Sequence, residues 1–193
     1  ARDKAQADHD TLLTRPGGNE NPYLIHQELG DQMTRAATVV RINDQLEEAI
    51  QSVGELSQRA TKCSLSDTGA WTNQNVVYTK ALRDMFPIAK AILKGALARD
   101  ECRGAHYKPA FEPAGITAED PAERRRQAEK WCDDFEAKNR KWLKTTIASF
   151  DQEGEPTLSY EDVDTTLVPP RPRLYGLVGA EMIEEAWKAR QKK

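Results

Sequence analysis

At 193 residues the chain can bury one good core with a small appendage, so one main domain is expected. With 38% apolar, 31% charged and 7% aromatic residues, it is too poor in β-branched and aromatic side chains for a compact β-sandwich, and long surface helices fit better. A net charge of -3, from 28 basic and 31 acidic residues mixed along the chain, gives no single-signed field to attract nucleic acid.

The start, Ala1 to Asp10, is charged and lacks the hydrophobic stretch of a secretory signal, and no apolar run is long enough to span a bilayer. No direct membrane insertion is expected. Residues 1–19 read as a polar linker with a turn at Pro16-Gly17-Gly18, and the missing initiator Met suggests an excised domain, although N-terminal processing could also remove a Met. Asn21-Pro22 then opens a helix, with Asn21 as cap and Pro22 at the first helical position, where a missing N–H costs nothing. Leu24, Ile25, Leu29, Met33, Ala36 and Ala37 supply its stripe, and a break is expected near Arg41. The next helix starts at Asn43 or Asp44 and carries Leu46, Ala49, Ile50, Val53 and Leu56 at three- and four-residue spacing.

Between Lys62 and Asn73 the helical pattern stops. Ser64 to Gly69 is turn chemistry, and Trp71 is expected to anchor the loop. A long third helix follows, with a broad apolar face from Val76 to Leu97, a kink at Pro87 and Gly104 as its C-cap. A fourth, charged helical stretch runs from Pro121 to about Thr146 as a partly exposed arm, with Trp131, Phe135, Trp142 and Leu143 on a narrow stripe. Its basic run Arg124 to Arg126 is bracketed by Glu123 and Glu129, as on a solvated helix face. Thr157 to Arg173, which ends in Pro169-Pro170-Arg171-Pro172, reads as an extended strap with one short strand, and Ala180 to Gln191 as a tail helix. The expected fold is all-α: a three-helix, spectrin-repeat-like bundle over 20–112, a charged helical insertion and arm over 113–147, and a strap with a short tail helix over 148–193.

Cys63, Cys102 and Cys132 are odd in number and far apart, and His9, His26 and His106 are scattered, so neither a disulfide framework nor a metal site is indicated. The chemically richest cluster is Glu101, Arg103, Gly104, His106 and Tyr107 at one helix end. Arg103 could clamp a carboxylate and His106 donate a proton. The favoured alternative is a clasp, in which both fix the turn at the negative helix terminus and hydrogen bond to a neighbouring domain. Trp71, Trp131, Trp142 and Trp187 could form a docking surface, although aromatics at helical spacing are more often core.

Several stretches resemble, in order and spacing, the C-terminal domain of succinate dehydrogenase and fumarate reductase flavoproteins. They are Asn21-Pro22-Tyr23 with Glu28-Leu29-Gly30 and Met33-Thr34; Val40-Arg41-Ile42-Asn43-Asp44; Asp67-Thr68-Gly69-Ala70-Trp71; Asp100 to Pro109; Trp142-Leu143-Lys144-Thr145-Thr146; and Tyr160-Glu161-Asp162-Val163-Asp164. Cys102 stands where the family usually has serine, and Ala114 to Arg140 looks like an insertion. Tyr107-Lys108-Pro109 and the strap look most like the subgroup anchored by a single cytochrome b subunit.

The resemblance implies a full subunit that interconverts succinate and fumarate by hydride transfer to or from FAD. No Gly-x-Gly-x-x-Gly run is present, so this chain is expected to hold no cofactor, to contain no catalytic residue and to be inactive alone. Its implied partners are its own flavin-binding domain, an iron-sulfur subunit and a cytochrome b anchor, and its implied place is the cytoplasmic, inner face of the cell membrane. The equivalent domain of L-aspartate oxidase or adenylylsulfate reductase, and a freestanding helical interaction module, are the competing readings.

Overall fold

The computed structural model describes residues 2–15, 18–151 and 154–191. It divides into two compact units, Ala1–Pro109 with Ala148–Leu158, and Ala110–Ile147 with Ser159–Lys193.

The first unit is built on α2 (Pro22–Ala37), α3 (Asn43–Ala60) and α4 (Gln74–Ala98), each packed against the other two. Asn21 accepts the Tyr23 amide and Pro22 occupies the first turn, so α2 starts where the cap chemistry places it. The stripe Leu46, Ala49, Val53, Leu56 and Ala60 is buried along α3 and meets Ile25, Leu29 and Ala36 of α2 and Leu82, Phe86, Ala89, Leu93 and Ala96 of α4. Each fully buried leucine in such a core contributes roughly 1.5–3 kcal/mol relative to exposure. Where α2 enters, the Arg59 guanidinium joins Glu20 to Glu28, with Arg59 Nε 2.9 Å from Glu20 and Nη1 2.5 Å from Glu28.

The polar start is not a linker over its described length. Arg2–Thr14 forms a helix, α1, which packs on α4 with Leu12 buried and Asp8 2.8 Å from Arg83. No proline or glycine interrupts it, and Lys4, Ala5, Gln6 and Ala7 favour helix, so a polar composition concealed a helix that buries one leucine. Pro16 and Gly17 of the expected turn lie outside the described residues.

The second unit holds α5 (Pro121–Trp142) and α6 (Ala180–Arg190). Asp120 caps α5 by accepting the Glu123 amide at 2.8 Å, beside Pro121 at the first turn. This helix is more than a partly exposed arm, because Ile116, Ala128, Trp131, Cys132 and Ile183 form a separate buried cluster. Phe135 joins it, stacked on Trp131 at 5.6 Å and edge-on to Trp187 at 5.3 Å. Gly179 precedes α6 with φ +77°, and a Cβ there would lie 2.6 Å from the Ile116 Cβ, so only glycine fits without displacement.

The expected all-α architecture is corrected to a mostly helical one with a small two-stranded sheet, β1 (Lys144–Phe150) beside β2 (Pro156–Asp162). The fourth helix ends at Trp142 instead of continuing to Thr146, because Thr145, Thr146 and Ile147 are β-branched and pair better in a strand than in a helical last turn. Within the first unit, Glu155 in the strand connection bridges two lysines of α4, 2.5 Å from Lys90 and 2.6 Å from Lys94.

Two loop expectations are also corrected. Trp71 is 87% exposed and anchors nothing among the described residues. The loop is held instead by Asn73, whose Nδ2 donates to the carbonyls of Asp67 and Gly69 at 2.7 and 2.9 Å while its Oδ1 caps α4 at Val76. Gly104 is not the C-cap of α4; the helix ends at Ala98 with Arg99 as cap.

Candidate functional site

The residues after α4 fold into a tight turn because Gly104 takes φ +59°, a conformation that glycine adopts without a Cβ penalty. Arg103 and His106 close the turn reciprocally, Arg103 N donating to His106 O at 2.8 Å and His106 N to Arg103 O at 2.9 Å. Tyr107 then pairs with the chain leaving α2. Its amide donates to Val39 O at 3.0 Å, and its carbonyl accepts from Arg41 N at 2.8 Å.

This pairing brings Arg41 onto His106. Arg41 Nη1 lies 2.7 Å from His106 Nδ1, while its Nε and Nη2 donate to the carbonyls of Thr38 and Ala37 at the end of α2. His106 Nε2 faces the Arg99 carbonyl at 2.8 Å. A carbonyl only accepts, so Nε2 carries the proton and Nδ1 accepts from Arg41, which fixes a neutral imidazole in one tautomer. Burial pushes the His106 pKa down, and the charges of Arg41 and Lys108 push the same way, against the Arg99 carbonyl and Glu101.

Glu101 is 1% exposed. Its carboxylate accepts from the Arg99 guanidinium and from Arg103, whose Nη2 is 2.9 Å away and Nε 3.1 Å from each oxygen. A carboxylate buried this deeply would be costly to keep ionised without such partners. Lys108, equally buried, spends its ammonium on the Leu97 carbonyl at 2.8 Å and on Asp100 at 3.0 Å.

Glu101, Arg103, Gly104, His106 and Tyr107 therefore do converge on one helix end, with Glu101 and His106 buried and Tyr107 half-buried. Sequence reasoning did not single out Arg41, Arg99 and Lys108. Arg99 carried a signal, a cation directly after a helix terminus where it can meet unpaired carbonyls, whereas Arg41 and Lys108 lie further past the ends of α2 and α4 and carried none. Burial and partners in this arrangement satisfy helix ends: Arg103 faces Glu101, and both His106 nitrogens are engaged.

The four tryptophans do not share one surface role. Trp131 and Trp142 are buried, Trp187 is half-buried in the second unit's cluster, and Trp71 is exposed. Among the described residues, no group of three His, Cys, Asp or Glu side chains is placed to hold a metal ion, and no helix is long and apolar enough to cross a membrane.

Residues 26–175 match the family model described as fumarate reductase flavoprotein C-term. The succinate dehydrogenase flavoprotein subunit of Bacillus subtilis (strain 168) is 37% identical over 159 residues, covering 82% of this chain and 23% of that protein. The fumarate reductase flavoprotein subunit of Escherichia coli (strain K12) is 28% identical over 164 residues, covering 85% and 24%. Among solved structures, a mutant E. coli quinol fumarate reductase aligns with a TM-score of 0.68 at 27% identity, over 91% of this chain and 26% of the matched one. The chain thus spans less than a third of the length of these relatives.

Proposed function

We propose, for a chain that belongs to the fumarate reductase flavoprotein C-terminal family, that it is the helical domain of a subunit interconverting succinate and fumarate and that it packs on the flavin-binding part of that subunit. The observation that carries this reading is the family match across 26–175, joined by relatives named for both directions of the reaction. The same match favours it over the equivalent domain of L-aspartate oxidase or adenylylsulfate reductase and over a freestanding module.

FAD, which supplies the hydride acceptor or donor when bound, belongs to the remainder of the subunit. This chain's residues supply packing. Glu101, Arg103, Gly104, His106 and Tyr107 act as a clasp that rigidifies the end of α4 next to the flavin-binding part. The support is that the buried Glu101 carboxylate and both His106 nitrogens are already engaged. In the finer architecture, 20–112 is a spectrin-repeat-like bundle, 113–147 a charged helical insertion and arm, and 148–193 an extended strap with a short tail helix, of which Thr157 to Arg173 holds the domain in place.

Through the subunit the domain would meet an iron-sulfur partner and a single cytochrome b anchor, at the cytoplasmic face of the cell membrane. That subgroup rests on Tyr107-Lys108-Pro109 and on Tyr160 to Asp164.

The test is a flavin absorbance spectrum of the purified chain, alongside succinate oxidation with an artificial electron acceptor. A colourless, inactive, helical protein that binds the separately produced flavin-binding part supports the reading. Bound flavin, or turnover by the chain alone, would overturn it.

A further inference from the structure

The connection between α2 and α3 is held to the turn after α4 by one short backbone pairing, Tyr107 N to Val39 O at 3.0 Å and Arg41 N to Tyr107 O at 2.8 Å. Little apolar burial supports it. Val39, Val40 and Ile42 are 55%, 47% and 44% exposed, and no residue of 38–42 or 99–108 belongs to the buried core of the bundle. Behind the pairing stands the side-chain contact of Arg41 with His106, the neighbour of Tyr107. That contact tolerates one protonation state. His106 Nδ1 accepts from Arg41 Nη1 at 2.7 Å while Nε2 donates to the Arg99 carbonyl at 2.8 Å, so a further proton can enter only at Nδ1. There the new N–H would face a guanidinium N–H, with two positive charges in contact and no acceptor between them.

The surroundings offer a charged imidazole little relief. The residue is 8% exposed, and Lys108, fixed on the Leu97 carbonyl and Asp100, opposes the charge together with Arg41. Glu101 favours it from the same turn, but its carboxylate is taken by Arg99 and Arg103. Arg41 is the partner free to leave, because it sits on the weakly supported connection and one of its carbonyl contacts, to Thr38, is exposed. We propose that Arg41 and His106 form a proton-operated catch: when His106 takes up a proton, Arg41 is expelled and the connection between α2 and α3 comes off Tyr107 while the three-helix core stays closed. The movement is local, since it uncovers none of the core leucines and leaves Lys108 on the end of α4. It goes beyond the functional reading above by giving the clasp one side that holds and one that releases.

The test is amide hydrogen exchange by NMR on this chain from pH 8 to pH 4, each rate divided by the intrinsic rate at that pH, with the His106 ring titrated in the same samples. Protection of the Arg41 and Tyr107 amides should fall as pH drops from about 6.5 to the His106 midpoint, approaching about tenfold per pH unit, and then level off. The Val53 and Leu56 amides of α3 should keep theirs throughout. His106→Gln, whose side chain can still accept from Arg41 and donate to the Arg99 carbonyl, should hold the Arg41 and Tyr107 protection constant over the same range. Protection that does not change through the His106 titration would overturn the proposal, as would a loss shared equally by the α3 amides or one that persists in His106→Gln. The wild-type titration decides even where that variant does not fold.

Discussion

Arg41 and His106 are 65 residues apart in sequence and 2.7 Å apart in space, and each also satisfies a helix-end carbonyl, Arg41 at α2 and His106 at α4. Replacing Arg41 with Met removes donors from the Ala37 and Thr38 carbonyls and from His106 Nδ1 together. We expect a loss of about 1–2 kcal/mol in denaturant titrations, since two part-buried acceptors, the Ala37 carbonyl and His106 Nδ1, are orphaned while the exposed Thr38 carbonyl can turn to water.

The same pair sets a pH dependence. The folded His106 pKa lies below its ordinary value, chiefly through burial, so the folded state favours neutral imidazole. Its contribution to stability is fully present above the unfolded value of about 6.5 and is lost as pH falls through the folded pKa. Unfolding midpoints measured from pH 8 to pH 5 should decline on the acid side. His106→Gln, which can still donate to the Arg99 carbonyl, should flatten that part of the decline. An unchanged slope would show that another group titrates.

Glu101 is the only acid among the site residues singled out from sequence, and it is buried between two arginines. Glu101→Gln keeps the shape and removes the charge. The expected cost is about 2–3 kcal/mol, below that of breaking a fully buried pair because the Arg103 side chain is 33% exposed. Thermal unfolding would measure it.

Glu155 should titrate far from an ordinary glutamate. Hydrogen bonds from Lys90 and Lys94 hold its pKa down to about 2. Stability from this contact is therefore present above the unfolded carboxyl value and fades as pH drops toward 2. Side-chain carboxyl NMR should find the depressed value, and salt should raise it, because nearly half of the side chain faces solvent.

Two positions on α4 separate core from surface. Leu93 is fully buried and Ile88 is 60% exposed. Leu93→Ala should cost about 2–5 kcal/mol, whereas Ile88→Ala in this chain should stay within about 0.5 kcal/mol. Chemical denaturation of the two variants checks both.

The bundle was legible because each of its helices carries local punctuation: Asn21-Pro22 before α2, a three-four stripe along α3, and Asn73 before α4. What escaped were features set by distant partners. α1 looked like a linker because its one buried residue, Leu12, is meaningful only beside α4. β1 was absorbed into a helix because Trp142-Leu143 continues the stripe, and only pairing with β2 decides for strand. At the site, the cluster could be read from its residue types. Its logic could not, because Arg41 reaches His106 through a backbone pairing between Val40 and Tyr107 that no local pattern announces.

That pairing, with the Lys108 ammonium on the Leu97 carbonyl, also sets an order of events during synthesis. The last turn of α4 is completed by residues made after it, and the end of α2 waits for Tyr107, made long after α2 itself has left the ribosome. A nascent chain halted at Ala98 carries all three bundle helices and their core with both ends open, so those ends are closed only after translation has passed Lys108. The short stretch from Arg99 to Lys108 is thus a latch that closes the ends of α2 and α4 once it has been made.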